Sequence, residues 1–198
     1  MHRLGWPGAI TRGDVRLRPL SLRDEVDWYT VRGRNQEWLA PWEASEPTGQ
    51  LPPKSFRGFV RSQRREARRA TALPLVIEWD GKFVGQITLG NVVWGSLRSG
   101  YIGYWIDRAV AGRGITTTSV AMLIDHVLAP NRLHRIEINI RPENAASLRV
   151  MEKLSLREEG LRRSYLHIDG GWRDHVSFAI TADELPEGGL RASRPLKH

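Results

Sequence analysis

The stretch YWIDRAVAGRGITTTSVAMLIDHVL, residues 104–128, constrains the fold more than any other part of this sequence. It begins as an apolar, strand-like run, passes through a charged loop that contains Gly112 and Gly114, and continues as an amphipathic helix over residues 115–128. The helix has one apolar face, formed by Val120, Leu123, Ile124, Val127 and Leu128. A second strand, HRIEINI, follows, so the stretch predicts a β-helix-β crossover in the middle of a layered domain.

The elements around this crossover decide the fold class. Upstream, the patterns predict a strand, a helix capped by Ser21, an ordered loop over residues 37–53, a second helix with a cationic outer face, and a hairpin that turns at Asp80-Gly81. Downstream, they predict a short helix and a final hairpin that turns at residues 169–171. The chain is therefore predicted to form an α+β (mixed α/β) fold. Its central sheet would be mixed but mostly antiparallel, with about seven strands and about four flanking helices.

Length and composition limit the remaining possibilities. The 198 residues fit a single domain, which we expect to span residues 1–184, followed by a basic, flexible tail at 185–198. The chain contains no cysteine, which excludes disulfides and thiolate metal sites, and its histidines show no ligand spacing, so no metal is expected. No apolar run approaches about 18 residues, and the first residues lack the apolar core of a signal peptide. We expect a cytoplasmic protein without membrane attachment, as a monomer or weak dimer.

The formal net charge of +8 is concentrated in the second predicted helix and in the tail. The helical segment carries a run of basic residues opposed only by Glu66: Lys54, Arg57, Arg61, Arg64, Arg65, Arg68 and Arg69. Two interpretations stay open, a solvated helix face and a docking surface. Because the segment lacks interleaved aromatic residues that would stack on bases, and no nucleic-acid-binding motif is present, no specific nucleic acid is expected.

The two glycines before the central helix exclude the commonest nucleotide loops. A P-loop requires Lys-Ser/Thr after its last glycine, whereas Ile115 and Thr116 follow Gly114. A Rossmann fingerprint requires a third glycine where Thr117 stands, and the residues DRAVA separate the strand from the first glycine. What remains is a general anion site made by backbone amides and the helix dipole, with Arg113 as a full charge. A plain turn, with threonines 116–118 capping the helix, is the structural alternative.

Two segments about 30 residues apart carry a family resemblance. AGRGIT, residues 111–116, partly matches Gln/Arg-x-x-Gly-x-Gly/Ala, with Gly114 as the central glycine and departures at Ala111 and Thr116. NIRPENAASLRVMEKLSLREEG, residues 139–160, closely matches an Asn-x-Asn-x-x-Ser region followed by a helix and a strand. With these segments the chain resembles the GNAT family of N-acetyltransferases, specifically its RimJ/RimL branch, which acetylates the N termini of ribosomal proteins.

The resemblance implies the GNAT fold and acetyl-CoA as cofactor. It extends over roughly residues 15–180 through LRPL, WLAPWE and GQITLGNV, and departs from the branch at Ser155, where glycine is usual. It implies that amides at the start of the central helix hold the pyrophosphate and that the preceding strand holds the pantetheine arm. The implied cofactor-binding residues are Tyr104, Trp105, Ile106, Gly112, Arg113, Gly114, Ile115, Thr116, Thr117, Asn139, Asn144 and Ser147.

Acetyl transfer to an amine needs a proton donor for the leaving thiolate and a route by which the amine loses its proton. Many family members have a tyrosine acid at the position of Met151, whose thioether cannot donate, so the resemblance makes Ser147 the candidate acid. A serine that only caps or packs at the helix start is the alternative.

The candidate base is Glu137, which shares one face of its strand with Asn139, where some relatives carry a glutamate. A surface or paired carboxylate is the alternative for Glu137. An α-amino group has a pKa of about 7.7–8.0, against about 10.4 for lysine, so an N-terminal acceptor needs no strong base. The absence of an obvious base therefore favours an α-amine as acceptor.

Trp38 and Trp42 lie where this branch builds its acceptor wall, although tryptophans are also common in cores. His134, His167 and His175 are expected to be structural or exposed. The predicted function is acetyl-CoA-dependent acetylation of a protein N-terminal α-amine, with a ribosomal protein as the partner. Two alternatives stay open: acetylation of a small-molecule amine or antibiotic, and a ribosome- or RNA-binding module with a degenerate cofactor site.

Overall fold

The computed structural model describes residues 8–48 and 55–190. Within them the chain forms eight strands and five α-helices. The strands are β1 (Ile10–Arg12), β2 (Val15–Arg18), β3 (Leu73–Trp79), β4 (Lys82–Val93), β5 (Ser99–Ile106), β6 (Arg135–Ile140), β7 (Arg157–Ile168) and β8 (Gly171–Thr181). The helices are α1 (Glu25–Arg34), α2 (Gln36–Leu39), α3 (Phe56–Arg68), α4 (Ile115–Val127) and α5 (Ala145–Leu154).

All of these strands lie in one sheet, in the order β1-β2-β3-β4-β5-β6-β8-β7. Only β5 and β6 run parallel, and α4 is the crossover helix that joins them. This mixed, mostly antiparallel sheet confirms the predicted α+β fold. It has one strand and one helix more than predicted, because β1 and α2 have only three and four residues and are too short to show a periodic pattern.

The two parallel strands separate soon after they meet. β5 and β6 pair over three residues each, from Ser99 with Arg135 to Tyr101 with Glu137. Beyond Tyr101, β5 stays paired with β4 as far as Ile106 but shows no further pairing with β6 in the described residues. The sheet therefore has an opening between two neighbouring strands, next to the point where the chain enters the crossover helix.

Apolar side chains pack on both faces of the sheet. The larger core, which includes Ile87, Leu123 and Met151, lies between the sheet and the helices α4 and α5. The smaller core, which includes Phe56 and Val76, lies on the side of α1 and α3. The predicted apolar face of α4 is confirmed, and ten of its 13 residues are buried. Among the described helices, none is long and apolar enough to cross a membrane.

α3 is amphipathic, as the sequence predicted. Phe56 and Val60 are buried and Phe59 and Gln63 are partly buried, whereas the arginines on its outer side are exposed. Ser55 caps the helix by accepting a hydrogen bond from the backbone amide of residue 58 (3.2 Å). Lys54, which the sequence assigned to the same basic segment, lies outside the described residues.

The predicted helix cap at Ser21 and the predicted hairpin turn at Asp80-Gly81 are both confirmed. Ser21 accepts a hydrogen bond from the Arg23 amide and forms a capping box with Asp24, although these residues open a short 3-10 turn ahead of α1. Asp80 and Gly81 both have positive φ, 49° and 72°, as a two-residue turn between twisted antiparallel strands requires.

The predicted loop over residues 37–53 is wrong in its first part. α2 and a 3-10 turn, Ala40–Trp42, occupy residues 36–42, because Leu39 is buried and Pro41 stands in the first turn, where its missing N–H is no loss. Residues 49–53 lie outside the described part of the chain.

Residues 185–190, which the sequence placed in a flexible tail, pack against the domain. Leu190 is buried; its amide donates to Asp125 Oδ1 (2.8 Å) and its carbonyl accepts from Arg12 Nη1 (2.9 Å). Arg12 also forms an ion pair with Asp125 (2.8 Å). The end of this segment is therefore held between β1 and α4, and only residues 191–198 of the predicted tail lie outside the described residues.

Candidate active site

A cavity of about 950 Å³ lies where β5 and β6 separate. Its lining includes residues from both faces of β5: Tyr101, Gly103 and Trp105 on one face, and Tyr104 and Ile106 on the other. On one side the cavity is lined by the start of α4 and by α5, and on the other by α2 and α3. It therefore has two chemically different ends that meet at the opening in the sheet.

The end at α4 is built from backbone. Gly112 and Gly114 have φ of 82° and 83°, a left-handed conformation that favours glycine, and Gly114 is the N-cap of the helix. No side chain caps α4, so the structural alternative in which the threonines cap the helix is wrong. The first-turn amides, which have no acceptor within the helix, face a site lined by Gly112, Gly114, Ile115, Thr116 and Thr117. Such a group of free N–H donors at a helix start binds anions.

Arg113 is not among the residues that line this end of the cavity. Its guanidinium lies over the Trp79 ring, 5.3 Å from the centroid. The side chain is thus engaged in a cation–π contact on β3. The positive potential at the cavity comes from the backbone amides and the helix dipole, together with Arg149 and Lys153 of α5, which also line the cavity.

The loop that leads to the glycines is anchored by Asp107. This buried carboxylate accepts hydrogen bonds from Asn35 Nδ2 (2.8 Å) and the Ala109 amide (3.2 Å), and forms an ion pair with Arg34. Asn35 in turn accepts from the Arg108 amide (2.9 Å). Burial alone would raise the pKa of the Asp107 carboxyl, but the hydrogen bonds from Arg34 and Asn35 hold it below its ordinary value. The end of α1 is thereby fixed to the loop before α4.

Two of the hydroxyl-bearing residues that line the cavity, Ser147 on α5 and Tyr104 on β5, are neighbours. Asn144 caps α5 by accepting a hydrogen bond from the Ser147 amide (3.1 Å), so the side chain of Ser147 is not the cap and its hydroxyl is available. The Tyr104 hydroxyl is buried without a well-formed hydrogen bond. Burial raises the pKa of this phenol to about 12, and the neighbouring Ser147 side chain acts in the opposite direction. Both groups are therefore neutral proton donors near neutral pH.

The predicted base, Glu137, and the neighbouring Asn139 are not among the residues that line the cavity. Glu137 forms ion pairs with Arg135 (3.0 Å) and Arg162 (2.6 Å), so both carboxylate oxygens are occupied. Asn139 accepts a hydrogen bond from Ser177 (2.6 Å) on the neighbouring strand. The structure thus places Glu137 as a paired carboxylate and Asn139 in the sheet, and brings neither of them to the cavity.

Trp38 and Trp42, which the resemblance implied for an acceptor wall, line the other end of the cavity. Arg108 lies over the Trp38 ring (5.4 Å) and Arg141 over the Trp42 ring (5.4 Å). Arg141 also donates to the carbonyl of residue 41 (2.7 Å), which joins the turn after α2 to the end of β6. Each indole is thus held from one side by a guanidinium, which fixes the aromatic wall.

Two carboxylates also line the cavity and were not identified from the sequence. Glu43 pairs with Arg32, and Glu143 pairs with Arg141 (3.2 Å). A hydrogen bond from its own backbone amide, followed by the charge of Arg141, lowers the pKa of the Glu143 carboxyl. Glu143 is therefore an ionised group beside the cavity and a weak base.

Two glutamines, Gln63 and Gln86, also line the cavity and were likewise missed. The alternation of side chains in GQITLGNV places Gln86 on the face that α3 covers, but no sequence signal connects it to Gln63.

The three histidines considered from the sequence lie outside the cavity lining. His134 is exposed, and His167 Nδ1 shares a hydrogen bond with Ser45 Oγ (2.8 Å). His175 is buried, and desolvation lowers its pKa. Met151 is fully buried in the larger core. Among the residues that the structure describes, no group of three or more His, Asp or Glu side chains is arranged to hold a metal ion.

Comparisons with known proteins agree with this arrangement. A family profile described as the acetyltransferase (GNAT) domain matches residues 14–157. The probable N-acetyltransferase YjcK of Bacillus subtilis is 38% identical over 168 residues, which cover 84% of this chain and 93% of the relative. The [ribosomal protein uS5]-alanine N-acetyltransferase of Escherichia coli is 28% identical over 82% of this chain and 84% of that protein.

A solved structure shows the same fold at higher identity. Mycobacterium smegmatis RimJ, determined in complex with CoA-disulfide, superposes with a TM-score of 0.81 at 46% identity, covering 87% of this chain and 84% of that one. The profile match, the sequence relatives and this structure all converge on one assignment: the chain belongs to the GNAT family of N-acetyltransferases.

Proposed function

We propose that this protein transfers the acetyl group of acetyl-CoA to the α-amine at the N terminus of a protein, and that the acceptor is a ribosomal protein. The observation that carries the proposal is the cavity that crosses the sheet, with an anion-binding helix start at one end and an aromatic wall at the other. Support also comes from the relatives, since one is an alanine N-acetyltransferase of ribosomal protein uS5 and another is a RimJ solved with a CoA-disulfide.

The residues at the α4 end fit the pyrophosphate of a coenzyme A group. The amides of the first turn have no side-chain cap, and the Cβ position of Gly112 opens onto free space, so an anion can approach the backbone. Gly112, Gly114, Ile115, Thr116 and Thr117 would hold this group, and β5 would lie beside its arm. The bound thioester supplies the activated acyl group.

Ser147 would donate a proton to the leaving thiolate. Its backbone amide is fixed by the Asn144 cap, and its side chain lies at the cavity beside Tyr104. The side chain of Asn144 is used as the cap, so its part in cofactor binding would be to fix the start of α5.

The acceptor end supports an α-amine. The carboxylates that line it, Glu43 and Glu143, are both paired with arginines, and no unpaired carboxylate that could act as a strong base lies among the described lining residues. An α-amine with a pKa of about 7.7–8.0 is partly neutral near pH 7.5 and needs none, whereas a lysine amine with a pKa of about 10.4 stays protonated. The site therefore suits the more acidic amine.

The test is a thiol-release assay with acetyl-CoA. Peptides with free Ala, Ser, Thr or Met at the N terminus are compared with the same peptides blocked at the N terminus but containing an internal lysine. We expect release only with the free N termini. Activity confined to the lysine peptides would contradict the assignment of an α-amine acceptor. Binding of RNA without any affinity for acetyl-CoA would contradict the assignment of an enzymatic function.

A further inference from the structure

Two glutamine side chains at the acceptor end each leave one buried polar atom without a partner. These atoms are Nε2 of Gln86, a donor, and Oε1 of Gln63, an acceptor. Both residues line the same cavity, Gln86 from β4 and Gln63 from α3. Few buried polar groups in folded proteins lack partners, and those that do call for an explanation.

The orientation of Gln86 is fixed by its other contact. Its Oε1 accepts a hydrogen bond from Trp28 Nε1 (3.0 Å), and an indole nitrogen can only donate. The amide therefore cannot be turned over without losing that bond, so the NH₂ group is the part left free. The residue is only 7% exposed and its Nε2 atom is buried, which means that water at the surface does not satisfy it.

The remaining surroundings are aromatic. Trp105 stands directly opposite Gln86 on β5, and Phe59 lies one turn before Gln63 on α3. Both aromatic residues line the cavity. A donor and an acceptor between aromatic side chains complement one planar group that carries a carbonyl and an N–H.

We infer that Gln86 and Gln63 bind the first peptide bond of the acceptor. Gln86 Nε2 donates to the carbonyl oxygen of the N-terminal residue, and Gln63 Oε1 accepts a hydrogen bond from the N–H of the second residue. The inference rests on the proposed function and names its substrate class: the acceptor is recognised as a peptide through its backbone, and its side chains contribute less. A simple alkylamine, with no carbonyl and no N–H to offer, would leave both glutamine atoms unpaired.

The test compares three acceptors in the acetyl-CoA assay: trialanine amide, its analogue with an ester oxygen in place of the first peptide N–H, and propylamine. We expect the KM of the ester analogue to be about tenfold higher than that of the peptide, since one hydrogen bond from a buried group is lost. Propylamine, which offers neither group, should be the poorest acceptor. Equal KM values for the peptide and its ester would overturn the assignment to Gln63.

Variants assign the two bonds to their residues. Gln63→Met should raise the KM of the peptide about tenfold and leave that of the ester unchanged, because the ester has already lost this bond. Its Tm should not fall, because the atom removed has no partner in the folded protein. Gln86→Glu keeps the acceptor for Trp28 and removes the free donor, so it should raise the KM of both peptide and ester. A KM unchanged by both substitutions would overturn the inference.

A matched control removes a different unpaired group. Ser119 Oγ is also buried without a hydrogen bond, but Ser119 lies on α4 and is not among the residues lining the cavity. Ser119→Ala should leave the KM of every acceptor unchanged. The proposed function and the glutamine assignment are contradicted by different results. No acetylation of any free N terminus by the unaltered protein would contradict the proposed function, whereas acetylation with equal KM for peptide and ester would contradict only the glutamine assignment.

Discussion

The two ends of the cavity are built in different ways. At the α4 end the functional groups are backbone amides, exposed by a glycine turn within a few consecutive residues, 112–117. At the acceptor end they are side chains from α2, α3, β4 and β5, brought together by the sheet and fixed by partners such as Arg108 and Trp28. The first kind of site tolerates side-chain change and suits a constant ligand. The second changes with each substitution and suits a ligand that differs between related enzymes.

The largest effect is expected between the two ends, at Ser147. Ser147→Ala should lower kcat by about 100-fold or more, the usual contribution of a general acid, and leave the Kd for acetyl-CoA unchanged. Steady-state kinetics and calorimetric titration measure the two quantities. Ser119→Ala, a buried serine outside the cavity lining, is the control. An unaltered kcat would remove Ser147 as the acid.

The second-largest effect is expected at the α4 end, on the affinity for acetyl-CoA. Gly114→Val should weaken acetyl-CoA binding by about 100-fold, because a branched side chain at φ of 83° distorts the amides and obstructs the anion, each charged hydrogen bond contributing ~1.5–3 kcal/mol. Gly95→Val imposes a similar strain at φ of 79°, in a turn outside the cavity lining. If both variants weaken binding equally, general destabilisation rather than the anion site is responsible.

A smaller effect tests the side-chain site. Trp42→Ala should raise the KM of an acceptor peptide by about tenfold and leave the affinity for acetyl-CoA unchanged, because the indole lines only the acceptor end. Trp172→Ala removes an exposed tryptophan elsewhere and should change neither constant. A change in acetyl-CoA affinity in the Trp42 variant would show that the two ends are not independent.

The smallest effect concerns Asp107, which joins the ends through α1 and the loop before α4. Asp107→Asn should lower the free energy of unfolding by about 1 kcal/mol at neutral pH, the difference between a charged and a neutral hydrogen bond. Because the folded pKa lies below the unfolded value of about 3.9, this contribution is complete above that value and is lost as the pH falls through the folded pKa. Thermal unfolding from pH 7 to 3 should therefore show a gap between the two proteins that closes with acid; a constant gap would contradict the assignment.

The same contrast explains how much the sequence could predict. The α4 end was predicted in detail because its signals are local: two glycines, a strand before them and a helix after them. Trp38 and Trp42 came from the family resemblance, which also supplied Ser147. Glu137 was misjudged as a possible base because its partner Arg162 stands 25 residues later on β7, beyond the reach of strand periodicity. Periodicity places Gln63 and Gln86 on facing sides of α3 and β4, but it does not mark them as functional, since their common feature is an unpaired atom that exists only after α3 has packed against β4.

The early separation of β5 and β6 gives the sheet an internal edge. An exposed edge strand at the border of a sheet is a template for pairing with other chains, and proteins protect such edges with charges, prolines or covering elements. Here the unpaired stretch of β5 beyond Tyr101 lies between two halves of one sheet and opens into a cavity. The free backbone donors and acceptors of this stretch are therefore accessible to a small molecule in the cavity but not to a strand of another protein. Within residues 102–106, hydrogen exchange at the amides that point away from β4 would report this directly, with fast exchange in the free protein and protection when the cavity is filled.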